Sequence, residues 1–412
     1  MKKIKFKRGI LENGLKVLVH EDHTNPIVAF TIFYEVGSRY EHIGITGVSH
    51  ILEHMMYRGT KRIEPEAFSR IIGKLGGEDN AFTTKDFTAF YSIVPRDKIE
   101  IPIELESDRM YNLIFQGFEE ELKVIKEERL WRTENNPFGL LWEKFWATAF
   151  EVHPYRNPVI GWMTDLENIT LKAVKEFYQS FYTPRHAMAI FAGDITFEEA
   201  LKLTEKYFTK GNKKSLEEPV IPEEPEQMGE KRVYLEKENG NPVIAVGYKI
   251  PQFSHPDNRV LTLLSDVLGD GKSSILMRKL VYEREVFSGI TAENYALKDP
   301  GLFVIYGSPV NDMDVEKAEQ ELDRILNELK DLITEEDVQV AKNKALADFI
   351  FEQESVKNVG FSLGEFEILD RAECINLLPE KIMKVQLEDI KRAIDQYLVR
   401  KARNVAILKV KK

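Results

Sequence analysis

His50 and His54, with Glu53 between them, lie in the run Gly47-Val48-Ser49-His50-Ile51-Leu52-Glu53-His54-Met55-Met56-Tyr57-Arg58-Gly59-Thr60. In a helix, positions i and i+4 project from one face about 6 Å apart along the axis, so the two imidazoles can grip one Zn²⁺. Glu53 falls on the neighbouring edge of that face. There it can act on a water held by the metal instead of binding the metal itself. Val48, Ile51, Leu52, Met55 and Met56 are apolar, so packed structure is expected around the histidine face. The plainer account is an amphipathic helix that happens to carry two of the chain's eight histidines. An acid inside an i, i+4 histidine pair is much less common by chance. The H-x-x-E-H order still needs a third ligand from elsewhere.

Candidates for that ligand are Glu119, Glu120, Glu121, Glu127 and Glu128, in the helix expected after Gly117. Most acids in such a run are solvated helix charges. Glu121 and Glu128 are seven positions apart, two helical turns, and share a face. Spacing alone does not choose the one that reaches the metal.

The elements that must carry these residues follow from composition and pattern. At 412 residues the chain exceeds what one core usually supports, so two domains are expected. A hydrophobic fraction of 43% with 30% charged residues describes a globular protein. The net charge of −11 argues against a nucleic-acid partner. The one cysteine, Cys374, excludes an internal disulfide framework and a cysteine zinc site. The basic start, Met1 to Arg8, is followed by no apolar segment of the secretory kind, and no run has the length of a membrane span. A cytoplasmic protein without a membrane partner is the expectation.

Asn13-Gly14 reads as a two-residue turn between strands, and Ile27 to Val36 as a further β-run. A helix is expected from Glu64 to Leu75, closed by Gly76-Gly77. Residues 80–84 and 87–94 are aromatic and β-branched, hence strands. Helices are expected from Lys98 to Leu113, from Glu119 past Trp131, from Leu171 to Phe181 and from Phe197 to Tyr207, with a strand over Ala187 to Ala192. Residues 210–230, with Pro219, Pro222 and Pro225 among glutamates, read as a solvated, semi-stiff connector. The expected domains are 1–210 and 231–412, joined by a linker over 211–230.

The second half echoes the first at an offset of 216: Asn25-Pro26-Ile27-Val28-Ala29 returns as Asn241-Pro242-Val243-Ile244-Ala245, and Leu171 to Lys175 as Leu387 to Lys391. The strand at Ala189-Ile190 lands on Val405-Ala406. One offset across three segments indicates a duplicated domain. The metal motif does not survive the copy, since His50, Glu53 and His54 map onto Asp266, Gly269 and Asp270. Gly269-Asp270-Gly271-Lys272-Ser273-Ser274 sounds like a phosphate loop but lacks the required earlier glycine, so a glycine-rich turn is expected.

These stretches resemble the pitrilysin/insulinase family of zinc peptidases, the inverzincins, and most of all its single-unit members, which include the mitochondrial processing peptidase subunits. The resemblance rests on Leu11 to Leu15, Val36 to Arg39, Gly47 to Thr60, Gly76-Gly77 with Asn80 to Thr83, Glu119 to Glu128, Val159 to Gly161, Ala192 to Asp194 and Leu268 to Ser274. It implies that His50, His54 and Glu128, 74 positions beyond His54, hold one zinc per chain, with Glu127 the competing third ligand. Glu53 is then the general base, and Glu121 orients a ligand imidazole. The implied function is zinc-dependent endoproteolysis of unfolded peptides or extended termini in an enclosed chamber. Asn80, Ala81, Phe82 and Thr83 would form an edge strand that pairs with the peptide backbone. A strand cap with Phe82 in the core is the plainer account of those four residues.

The implied fold is α+β: two duplicated domains, each a mostly antiparallel sheet with helices packed on one side, facing each other like a clamshell. One family feature is missing. Active members supply an Arg and a Tyr, seven apart, to the substrate carbonyl, and the matching positions here are Val281 and Ser288. Arg278, Tyr282 and Arg284 are near but out of register. The expectation is therefore a dimer, and a heterodimer with a zinc-less relative that contributes Arg and Tyr is preferred over a homodimer. The competing class is a catalytically silent scaffold subunit.

Overall fold

The computed structural model describes residues 3–209, 211, 219–238, 240–310 and 314–410. Its first strands are β1 (Lys7–Ile10), β2 (Lys16–Glu21), β3 (Ile27–Tyr34), β4 (Glu78–Thr83), β5 (Thr88–Pro95) and β6 (Ala187–Gly193). The later ones are β7 (Lys231–Lys237), β8 (Val243–Ile250), β9 (Phe287–Tyr295), β10 (Gly301–Pro309) and β11 (Arg403–Val410). Up to the connector the helices are α1 (Val48–Met55), α2 (Ala67–Lys74), α3 (Glu100–Asn112), α4 (Phe118–Arg129), α5 (Pro137–Ala149), α6 (Met163–Asn168), α7 (Leu171–Phe181) and α8 (Phe197–Tyr207). Beyond it come α9 (Asp257–Gly269), α10 (Val315–Leu332), α11 (Glu335–Glu352), α12 (Val356–Leu369), α13 (Leu378–Lys384) and α14 (Leu387–Tyr397).

The strands form two sheets, ordered β1-β2-β6-β3-β5-β4 and β7-β11-β8-β10-β9. In the first only β2 and β6 run parallel, and in the second only β7 and β11. With β1 set aside, the two orders are the same. β3 and β8, like α7 and α14, stand at the same 216-residue offset read from the sequence. Both sheets are thus mostly antiparallel, with duplicated topology.

The helix layer expected on one face of each sheet is present. Val28, Phe30, Ile32 and Tyr34 of β3 share a core with Ile51, Leu52, Ile103, Leu122 and Phe177. The structure adds a helix on the other face. α12 packs against β6 and β3, and α5 against β11, β7 and β8. This explains why β6 is buried along its whole length: a strand covered on both faces is apolar at successive positions, not alternate ones.

The coverage redraws the expected domain boundaries. The first compact unit is Met1–Arg129, Asn157–Pro222 and Phe351–Asn376, and the second is Leu130–Arg156, Glu223–Ile350 and Leu377–Lys412. The chain passes between units at 222/223, inside the expected 211–230 linker, of which residues 212–218 lie outside the described residues. Neither unit is the continuous half that was expected. α5 and α12 have exchanged sheets, because each sheet's second apolar face is covered by a helix from the other half of the sequence.

Two helical glycines, one under that packing and one open to solvent, should respond oppositely to an added side chain. A Cβ on Gly364 of α12 would lie 2.3 Å from the Phe33 ring, whereas one on Gly73 of α2 would meet nothing within 4 Å. Gly364→Ala is expected to destabilise by about 1–3 kcal/mol, the usual cost of overpacking. Gly73→Ala should stabilise by about 0.5–1 kcal/mol through helix propensity. Urea unfolding midpoints moving in opposite directions would check both.

Candidate metal centre

α1 begins where two glycines meet. Gly47 (φ +87) could not carry a Cβ, which would lie 2.6 Å from the Ile160 carbonyl oxygen, and a Cβ on Gly161 (φ +86) would lie 2.4 Å from that of Thr46. Asp165 holds the approach by accepting from the Gly44 and Thr46 N–H groups and from the Thr46 hydroxyl. The Glu41 carboxylate accepts from the N–H groups of Gly47 at 2.7 Å and Ser49 at 2.8 Å, supplying negative charge at the positive end of the helix. Burial pushes the Glu41 carboxyl up to about 7, against the pull of those amides. Val48, Ile51, Leu52 and Met55 are buried, which sets the rotation of α1.

α4 is oriented by Phe118, Leu122, Ile125 and Arg129, all buried. The Arg129 guanidinium donates to the Gly161 carbonyl at 2.7 Å, so α4 is tied to the same loop that seats α1. Glu121 and Glu128 are half-buried, and Glu119, Glu120 and Glu127 are exposed.

His50, His54 and Glu128 converge, each offering a ligand atom within 4.8 Å of the other two. Glu128 Oε2 lies 3.7 Å from His50 Nε2 and 3.4 Å from His54 Nε2. Ligand atoms about 2.1 Å from a tetrahedral zinc stand roughly 3.4 Å apart, so two imidazoles and a carboxylate at this spacing fit the metal in both geometry and chemistry. Among the described residues this is the only such His/Cys/Asp/Glu group.

Glu121 stands behind His54, with Oε1 2.8 Å from Nδ1, which directs Nε2 at Glu128. Arg58 Nε lies 3.5 Å from the other Glu121 oxygen. The bond to His54 is the main reason the Glu121 carboxyl is held below the usual range. Burial opposes charge on His54, but Glu121 and Glu128 outweigh it and push the imidazole up to about 9. The same two carboxylates would offset part of the charge of a divalent cation held beside this imidazole.

Glu53 is outside the ligand group. One of its oxygens accepts from the Thr83 hydroxyl at 2.5 Å. Asn80, Ala81, Phe82 and Thr83 lie in β4, which pairs with β5 and ends the sheet. The Phe82 ring packs against Phe87 at 5.9 Å and Phe361 of α12 at 5.5 Å, so the strand is backed by the exchanged helix. Asn80 is exposed, and its Oδ1 accepts the Ala81 N–H.

In the second unit, Val281 packs against the core and the Ser288 hydroxyl donates to the Ser308 carbonyl. Arg278 pairs with Asp337 at 2.9 Å and Arg284 with Glu321. Tyr282 is 53% exposed. Gly269 to Ser274 forms the end of α9 and a turn, as expected.

Sequence reading missed Arg58, Arg129, Asp165 and the Thr83 hydroxyl, whose partners are distant in the chain, and Glu41, whose partners Gly47 and Ser49 are near but face it only once the turn before α1 forms. The stripe Phe118, Leu122, Ile125 and Arg129 did hold a signal. At 100° per residue it brings Glu121 and Glu128 to its flank and carries Glu127 away.

Residues 16–162 match the family model described as Insulinase (Peptidase family M16), and residues 168–345 that described as Peptidase M16 inactive domain. The zinc protease PqqE of Helicobacter pylori is 31% identical over 402 residues, covering 95% of this chain and 90% of that protein. The probable mitochondrial-processing peptidase subunit beta of Arabidopsis thaliana is 23% identical over 402 residues, covering 94% and 75% respectively. The crystal structure of a protease from Helicobacter pylori superposes with a TM-score of 0.96 at 30% identity, covering 99% of this chain and 100% of that one.

Proposed function

The chain belongs to the M16 (insulinase) family of peptidases, and from that premise we propose that it is a zinc-dependent endopeptidase acting on unfolded peptides or extended termini. The observation that carries the reading is the meeting of His50, His54 and Glu128, with Glu53 beside them on α1. Zinc in that set supplies Lewis-acid activation of a water and of the scissile carbonyl. Glu53 takes the proton from the attacking water and passes it to the leaving amine. Glu121 holds His54 in the tautomer that presents Nε2. The exposed edge of β4 takes the substrate as an added strand through backbone hydrogen bonds, which requires a chain free of its own structure.

Val281 and Ser288 leave this chain without the Arg and Tyr that its family resemblance calls for. The reading therefore includes a heterodimer in which a zinc-less relative supplies both donors. A catalytically silent scaffold is the competing reading, favoured by the same two positions and by the inactive-domain match over 168–345.

Quenched-fluorescence peptide hydrolysis by the purified chain, alone and mixed with the zinc-less relative, separates them. Weak activity that rises about a hundredfold on mixing is expected, since one preorganised oxyanion donor commonly contributes roughly that much. The rise should vanish when the relative's Arg or Tyr is removed. Full activity from this chain alone would overturn the division of labour. No activity in either case would favour the scaffold.

A further inference from the structure

Thr83 is the last residue of β4, and its backbone is fixed by pairing with Thr88 of β5. Its hydroxyl reaches across to α1 and donates to Glu53 Oε2 at 2.5 Å. Glu53 has three side-chain torsions between its helix and its carboxylate, and a base acts well only from one narrow arrangement of them. A short, β-branched side chain on a paired strand is a stiff donor, able to select that arrangement.

From this contact we infer that Thr83 is a positioning residue for the general base, a role distinct from any its backbone plays in holding substrate. The inference rests on the peptidase reading above. Its consequence is that the strand proposed to carry the substrate and the carboxylate proposed to take the proton are held in one register, so that seating the peptide on β4 also sets its carbonyl relative to Glu53.

The test uses the full chain loaded with zinc, together with the partner chain if turnover needs it. Thr83→Val removes the hydroxyl and keeps the shape. It is expected to lower kcat about 10- to 100-fold, the scale of a catalytic group misplaced by about 1 Å, with KM within about threefold and zinc content unchanged. Thr83→Ser should restore kcat to within about threefold of wild type. In the metal-free protein, fluorescence anisotropy with a labelled extended peptide should give the same affinity for wild type and Thr83→Val. Unchanged kcat in Thr83→Val, a Ser variant as impaired as Val, or weakened peptide binding without metal would each overturn the inference.

If wild type shows no turnover with or without a partner, the peptidase reading has failed, and the contact is judged separately. Thermal midpoints of metal-free Thr83→Val, Glu53→Ala and the double variant should then be non-additive. Additive midpoints would overturn the positioning role as well.

Discussion

Glu53→Gln is expected to keep its zinc and its unfolding midpoint while peptide hydrolysis falls by about two to four orders of magnitude, the range for a positioned acid–base group. The exchange is nearly isosteric, and the amide oxygen can still accept from the Thr83 hydroxyl. The three residues proposed to hold the metal are not altered. What disappears is a carboxylate able to accept a proton at neutral pH. Steady-state hydrolysis with zinc analysis on the same preparation checks this. Near wild-type turnover would mean that another base acts, and loss of zinc would mean that Glu53 binds the metal.

The second large effect concerns the third ligand. His50→Ala, His54→Ala and Glu128→Ala should each weaken zinc binding by more than the roughly 10- to 100-fold that losing a group behind a ligand costs. Glu127→Ala should bind zinc as wild type does. The two glutamates are neighbours in the chain, yet Glu128 Oε2 lies 3.4 Å from His54 Nε2 while Glu127 is exposed. As the proposed third ligand, the Glu128 carboxylate would also offset part of the cation's charge, so its loss would remove neutralisation as well as a ligand. Competition with a chromophoric chelator measures the affinities. A full zinc complement in Glu128→Ala, or its loss in Glu127→Ala, would reverse the assignment.

Much of this was legible because local signals were strong and agreed with one another. The apolar face of α1 left His50, Glu53 and His54 together on the other side, and the β-run read over Ile27 to Val36 contains the strand Ile27–Tyr34. The repeat at offset 216 anticipated the matching strand orders. The exchange of α5 and α12 was not legible. Helical periodicity marks an apolar face without saying which of two similar sheets will cover it, and Phe145 against Gly247 looks no different in sequence from Phe33 against Gly364. The supports of the site were hidden for a related reason. Glu41, Asp165 and Arg129 are ordinary polar residues until the fold brings them to the Gly47–Gly161 contact.

The most direct measurement takes the wild-type chain, alone and with the zinc-less partner proposed above, through metal analysis and peptide hydrolysis before chelation, after chelation and after zinc is restored. One zinc per chain, with hydrolysis that vanishes with the metal and returns with it, is the predicted result. A chain that binds no zinc, or that cleaves peptides equally well without it, would contradict the assignment of His50, His54 and Glu128 as the centre of a zinc peptidase.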